Sequence, residues 1–111
     1  IWLTSQDNAA YPERPASINK ITSIPANFKL RIGMMNPNNI LPILPKLIEA
    51  YKNYKVFKFL HIPVQSGSDK ILKAMNRKYK IEDCLKIISA FKQAFPEITI
   101  STDIIAGYPG E

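Results

Sequence analysis

His61, Gln65, Ser66 and Gly67 fall within one short run, Phe59-Leu-His-Ile-Pro-Val-Gln-Ser-Gly-Ser-Asp-Lys70, in which an apolar strand gives way to a polar, glycine-bearing turn and then to a helix start. An imidazole, a carboxamide, a hydroxyl and an accessible glycine backbone together offer donors and acceptors to a polar ligand. Phe59, Leu60 and Ile62 suit a buried strand, Pro63 ends it, and Ser68 or Asp69 is placed to cap a helix over Ile71-Leu72-Lys73-Ala74-Met75. Parallel α/β folds bind their ligands at the carboxyl ends of strands, so this turn is the first candidate site. An ordinary strand-to-helix loop with no chemistry of its own fits the same residues equally well.

The elements that must position this turn belong to a chain of 111 residues, 46% hydrophobic and 22% charged. Such a composition suits one globular unit with a modest core and excludes a disordered or disulfide-stapled chain. The net charge of +6 is uneven: Lys46, Lys52, Lys55, Lys58, Lys70, Lys73, Arg77, Lys78 and Lys80 are opposed in their stretch only by Glu49 and Asp69. That is a candidate surface for an anionic partner. A solvated lysine-rich face is the alternative, and no nucleic-acid-binding motif accompanies it. The single cysteine, Cys84, permits no internal disulfide and no multi-cysteine metal site from this chain alone, and its place beside a helical stripe suits a small buried hydrophobe. No signal peptide or long apolar span is present, so a cytoplasmic protein without membrane contact is expected. Because the chain begins at Ile1 within a strand and stops just beyond another, it is expected to be a piece of a longer protein.

In chain order, Ile1 to Thr4 reads as the tail of a strand entering the polar stretch Ser5-Gln6-Asp7-Asn8. Residues 11–26 carry Pro12, Pro15 and Pro25 and set no clear period, which predicts loop with at most a short helix around Ile18 to Ile24. Phe28 to Met34 predicts a strand that meets the polar Asn36-Pro-Asn-Asn39. Ile40 to Asn53 predicts a helix with Leu44, Leu47, Ile48 and Tyr51 on one face and Asn38 or Asn39 as cap, its regular part beginning near Leu44 because of Pro45. Val56 to Pro63 is the strand already described. Ile81 to Phe95 is the most periodic segment, with Ile81, Leu85, Ile88, Phe91 and Phe95 at helical spacing, Glu82 and Asp83 at its amino end and Pro96 beyond it. Ile98 to Ile105 is β-branched almost throughout and runs into the turn Ala106-Gly-Tyr-Pro-Gly-Glu111.

The order strand, loop, strand, helix, strand, helix, strand implies right-handed crossovers and a parallel sheet with helices outside. The predicted fold class is α/β, a partial (β/α) barrel of about four parallel strands and three helices, with both edge strands wanting neighbours. The polar turns after the strands would line one rim. There Gln6, Asn36, His61, Gln65, Asp103 and Glu111 are expected to converge on one ligand.

Three segments, His61-Ile-Pro-Val-Gln-Ser-Gly-Ser-Asp69, Met75-Asn-Arg-Lys-Tyr79 and Thr102-Asp-Ile-Ile-Ala-Gly-Tyr-Pro-Gly-Glu111, closely resemble the radical S-adenosylmethionine domain of the methylthiotransferases. The resemblance covers nearly the whole chain, with the three motifs in order at matching separations. Trp2-Leu-Thr-Ser-Gln-Asp7 and Asn36-Pro-Asn-Asn-Ile-Leu41 resemble the archaeal and eukaryotic enzymes acting on threonylcarbamoyladenosine in tRNA more than the bacterial tRNA or ribosomal-protein branches.

The resemblance implies that residues 1–111 are the central part of a radical SAM TIM-like barrel. A Cys-x3-Cys-x2-Cys loop would lie before Ile1, an amino-terminal domain would carry a second [4Fe-4S] cluster, and a carboxy-terminal domain would help bind tRNA. The implied reaction is reductive cleavage of S-adenosylmethionine to a deoxyadenosyl radical and addition of a methylthio group at C2 of the modified adenosine beside the anticodon. Carried over by motif, Gln65, Ser66 and Gly67 would lie beside S-adenosylmethionine, and Arg77 would reach its carboxylate by paired hydrogen bonds. The stretch Asp103 to Gly110, with Gly107 and Gly110 allowing close backbone approach, would shape the adenine and ribose side, and Ser5 and Gln6 would contribute from the first loop. No residue here is implied as catalytic or as a metal ligand, and Cys84 is misplaced to stand in for the missing cysteines, so this chain alone is expected to bind no iron and to be inactive. The resemblance names no electron donor or sulfur source. Another radical SAM enzyme, or a non-radical barrel-like module binding a phosphorylated metabolite, is the competing reading.

Overall fold

The computed structural model describes residues 1–111. Strand β1 (Trp2–Leu3) pairs in parallel with β2 (Arg31–Ile32), Trp2 opposite Arg31. Strand β3 (Phe59–His61) pairs in parallel with β4 (Thr99–Ser101), Leu60 opposite Ile100. The two ladders are stitched together by a parallel bridge between Leu30 and Val56 and by the Met35 N–H, which donates to the His61 carbonyl at 3.0 Å. The α/β class and the parallel direction agree with the sequence, whereas the expected continuous sheet is two short ladders.

Side chains alternate across these strands as a pleat requires. Ile32 and Leu60 are fully buried beneath the helices, with Leu3 and Ile100 packed against the same core. The opposite face presents Arg31, whose guanidinium stacks 4.6 Å from the Trp2 ring and 4.2 Å from that of Phe59.

Helix α1 (Arg14–Thr22) is longer and earlier than the sequence suggested. Pro15 is tolerated in its first turn, and only Pro15, Ile18 and Thr22 are buried, so the apolar face is too narrow to set a visible period. The next segment is broken by its prolines into α2 (Pro37–Ile40), a 3-10 turn at Leu41–Ile43 and α3 (Leu44–Tyr51). The regular helix thus begins at Leu44 as expected, but the first cap is Asn36, not Asn38 or Asn39. Helix α4 (Asp69–Ala74) starts from Ser68, whose side chain makes no capping bond. Asp69 instead accepts from the Ile81 N–H at 2.9 Å.

Helix α5 (Ile81–Ala94) buries Cys84, Ile87 and Phe91. Leu85, predicted on its inner stripe, is 56% exposed because the buried face is centred on 84, 87 and 91, about a quarter-turn away. Phe91 meets Tyr51 of α3 edge-on, with ring centroids 5.1 Å apart. The last predicted strand is also trimmed: β4 ends at Ser101, beyond which the Val64 N–H donates to the Thr102 hydroxyl in place of a backbone carbonyl. No helix is long and apolar enough to cross a membrane.

Candidate ligand-binding rim

Beyond β3 and β4 the pairing continues by substitution. The Ile62 N–H donates to the Ser101 carbonyl, the Val64 N–H to the Thr102 hydroxyl at 3.1 Å, and the Gln65 N–H to the Asp103 carbonyl at 2.8 Å. Gln65 accepts in return from the Ile105 N–H at 2.9 Å. These bonds hold Gln65, 9% exposed, at a φ of 70°, a left-handed conformation that costs a non-glycine residue roughly 1 to 2 kcal/mol. Tyr79 secures the turn from behind, its buried hydroxyl 3.1 Å from the Pro63 carbonyl oxygen and 3.3 Å from that of Val64. Burial raises the Tyr79 pKa, which keeps the hydroxyl a donor.

In front of this turn lies a cavity of about 630 Å³ bordered by Ser5, Gln6, Asn36, Gln65, Arg77 and Asp103, with Asp7 and Pro63 at its wall. Of the rim residues predicted to converge, Gln6, Asn36, Gln65 and Asp103 do so. His61 stands behind Asp103, Nε2 to Oδ2 at 2.8 Å, and thereby orients that carboxylate. Glu111 does not reach the cavity: its carboxylate accepts from the N–H groups of Gly107 and Tyr108 and closes its own turn.

Among the residues carried over by resemblance, Ser5, Gln6, Gln65, Arg77 and Asp103 border the cavity and the others do not. Ser66 is buried beside Gln65, its hydroxyl accepting from the Ser68 N–H at 3.2 Å. Gly67, Gly107 and Gly110 have no protein heavy atom within 4 Å of where a Cβ would sit, so no contact within the chain requires a glycine there. Gly107 and Gly110 are needed for their φ of +74° and +87°. The tight approach is instead at Gly33, where a Cβ would stand 2.9 Å from both the Asn8 amide and the Leu3 carbonyl oxygen.

Arg77 is delivered by the end of α4. Asn76 takes the left-handed conformation at φ 58°, and the Asn76 and Arg77 N–H groups return to the carbonyls of Lys73 and Leu72, a Schellman ending with asparagine in the position usually held by glycine. The Arg77 side chain is half-buried, and its Nε is shielded from solvent with no hydrogen-bond partner. A shielded guanidinium donor beside a cavity is an open valence for an acceptor.

Asp7 is the residue that sequence reasoning passed over. Its carboxylate accepts from the Ala9 and Asn36 N–H groups at 2.9 and 3.1 Å and from the Asn36 and Asn39 amides at 2.8 Å each, tying the loop after β1 to the loop after β2. The bond to Ala9 is an Asx turn, a signal that Asp7-Asn8-Ala9 did carry. Asp7→Ala is expected to lower the stability of the full-length protein by about 2 kcal/mol by orphaning two amides. Asp7→Asn, which keeps one acceptor oxygen, should lose less; equal urea midpoints for wild type and Asp7→Ala would show that the rim is held otherwise.

Four parallel strand ends opening on one polar cavity, with a shielded arginine and a buried glutamine in its wall, define an α/β domain with a candidate site at its strand ends. All of residues 1–111 match the family model described as the Radical SAM superfamily, and the chain belongs to that superfamily. It is 47% identical, over its whole length, to the probable threonylcarbamoyladenosine tRNA methylthiotransferase of Pyrococcus horikoshii, of which it covers 27%. It is likewise 47% identical to the protein of that name from Methanothermobacter thermautotrophicus, and 43% identical to the threonylcarbamoyladenosine tRNA methylthiotransferase of Homo sapiens, of which it covers 20%. The chain thus spans about a quarter of the length of the curated relatives it matches.

The residues of the rim fit S-adenosylmethionine, which presents a carboxylate for the unpartnered Arg77 donor and hydroxyls and ring nitrogens for Gln6, Asn36 and Gln65. They do not fit an iron–sulfur cluster. No three histidine, cysteine or acidic side chains gather in a metal-binding group, and Cys84 is fully buried, with burial and nearby Asp83 pushing its thiol up to about 11.

Proposed function

We propose that residues 1–111 are the central part of the catalytic domain of a tRNA methylthiotransferase, a partial (β/α) barrel whose strand ends bind S-adenosylmethionine. The full-length protein would replace the hydrogen at C2 of N6-threonylcarbamoyladenosine, beside the anticodon, with a methylthio group. The observation that carries this reading is similarity along the whole chain to proteins of that one name in both archaea and eukaryotes, at 42% to 47% identity.

S-adenosylmethionine, when bound, would supply the radical chemistry together with an iron–sulfur cluster whose ligands are not among these residues. The part played by this chain is binding and positioning. Arg77 would hold the carboxylate, and the polar side chains of Gln6, Asn36 and Gln65 would orient the nucleoside half. Asp103, steadied by His61, would accept from the ribose or the ammonium group.

The test uses the full-length protein with its clusters reconstituted, a reductant, a sulfur source and tRNA bearing threonylcarbamoyladenosine. Mass spectrometry of the digested nucleosides should show the modified adenosine heavier by one methylthio group less one hydrogen. Cleavage of S-adenosylmethionine with the nucleoside unchanged would place the protein elsewhere in the superfamily.

A further inference from the structure

The basic stretch seen in the sequence divides in the fold. Lys55 is buried, its ammonium donating to the Ile24 carbonyl over the Phe28 ring. Lys58 donates to the carbonyls of Tyr51, Asn53 and Val56, and Lys52 pairs with Glu49 at 2.8 Å. These lysines are spent on the fold or on a neighbour.

Lys70, Lys73, Lys78 and Lys80 are different. Together with Arg77 they border an open groove of about 750 Å³ between α4 and α5, on the other side of Arg77 from the rim cavity. None of the five cations makes an ion pair. The three acids at the same groove are already engaged: Asp69 accepts from the Ile81 N–H, Asp83 from the Lys80 N–H at 2.9 Å, and Glu82 pairs with Lys86 of α5 at 3.1 Å. The groove therefore keeps a net positive charge, its five cations outnumbering its three carboxylates, none of which pairs with them. Only one of its lining residues is hydrophobic. Its one hydrophobic lining residue, Tyr79, is 5% exposed with its hydroxyl committed to the turn, so no ring is free for a base to stack on. Such a surface reads charge and spacing, not sequence.

We propose that this groove is a docking site for the phosphate backbone of the RNA substrate, next to the cavity where S-adenosylmethionine binds. The inference rests on the tRNA reading above and adds to it a surface within this segment. Arg77, bordering both spaces, would join the cofactor to the strand being modified.

The experiment measures the affinity of the full-length protein for its tRNA across a salt series, for wild type, for Lys70→Ala/Lys73→Ala/Lys78→Ala, and for Lys46→Ala/Lys92→Ala. The control lysines are exposed but lie outside the groove. The groove variant should bind roughly tenfold or more weakly near 0.1 M salt, with the slope of log affinity against log salt shallower by about 2 to 3. S-adenosylmethionine affinity and the control variant should be unchanged. An unaltered slope in the groove variant, or an equal loss in the control, would overturn the inference and leave the proposed function standing. Loss of activity with an acidic protein reductant, at unaltered tRNA affinity, would also overturn it and give the groove to that protein. If wild type neither binds nor modifies tRNA, the proposed function fails first and the inference with it.

Discussion

Phe91→Ala should lower the unfolding free energy of the domain by about 3 to 5 kcal/mol. Phe91 is fully buried, closes edge-on against Tyr51 at 5.1 Å and tilts against Phe95 at 6.3 Å, so its loss leaves a cavity at the junction of α3 and α5. Tyr51 is equally enclosed, with its hydroxyl 3.3 Å from the Phe59 carbonyl oxygen, and cannot move in to fill the space without giving up that bond. The loss would be a large fraction of the 5 to 15 kcal/mol typical of a folded domain. Leu85→Ala is the informative partner, because both residues stand on the same apparent stripe in the sequence but Leu85 is 56% exposed. It should change stability by less than about 0.5 kcal/mol. Denaturant midpoints of the two variants in the full-length protein measure both, and similar losses would mean that α5 presents a different face to the core.

That contrast shows where periodicity is a sufficient guide and where it is not. In α5 the apolar residues outnumber the buried positions, so period alone selects the helix but leaves its rotation open by one residue; the packing of Phe91 on Tyr51 settles it. In α1 the shortage runs the other way. Three buried positions, one a proline and one a threonine whose hydroxyl returns to the Ile18 carbonyl at 3.0 Å, give no apolar period to detect. Strand positions were legible because each carries a short β-branched or aromatic run. Their lengths were not, because a regular ladder ends where a backbone partner is replaced, as at Val64, whose N–H goes to the Thr102 hydroxyl.

The site divides in the same manner. Gln6, Asn36, Gln65 and Asp103 were legible as polar residues following strands, since parallel strands deliver their carboxyl ends to one side. Glu111 follows a strand too, yet it turns back on Gly107, because a carboxylate four and three residues from two free N–H groups has a nearer partner than any ligand. Asp7 and Tyr79 each end a segment that marks the resemblance, but their roles in holding the rim depend on loops brought together by the fold. The basic stretch was legible only as a total. Its division into lysines bonded to carbonyls and lysines left free needed the turn after α3 and the ending of α4.

Arg77→Ala in the full-length enzyme should weaken S-adenosylmethionine binding by about 1.5 to 3 kcal/mol, the range for a charge-assisted hydrogen bond removed from a shielded donor. This corresponds to roughly 10- to 100-fold in the dissociation constant. The motivation is local: Arg77 borders the rim cavity, has no carboxylate partner in the fold, and keeps a shielded Nε without an acceptor. Arg77→Lys should recover only part of the loss, since an ammonium keeps the charge but not the paired donors of the guanidinium. Backbone geometry supplies an independent check. Asn76, at φ 58°, sets the direction in which the chain leaves α4, so Asn76→Val, whose branched side chain disfavours that conformation, should shift Arg77 and reproduce part of the effect. Asn76→Gly, which accepts the same φ freely, should not. Calorimetric titration of these variants decides the matter: unchanged affinity in Arg77→Ala removes the residue from the site, and a loss in Asn76→Gly equal to that in Asn76→Val would show that the side chain of Asn76, not its conformation, is what the ligand needs.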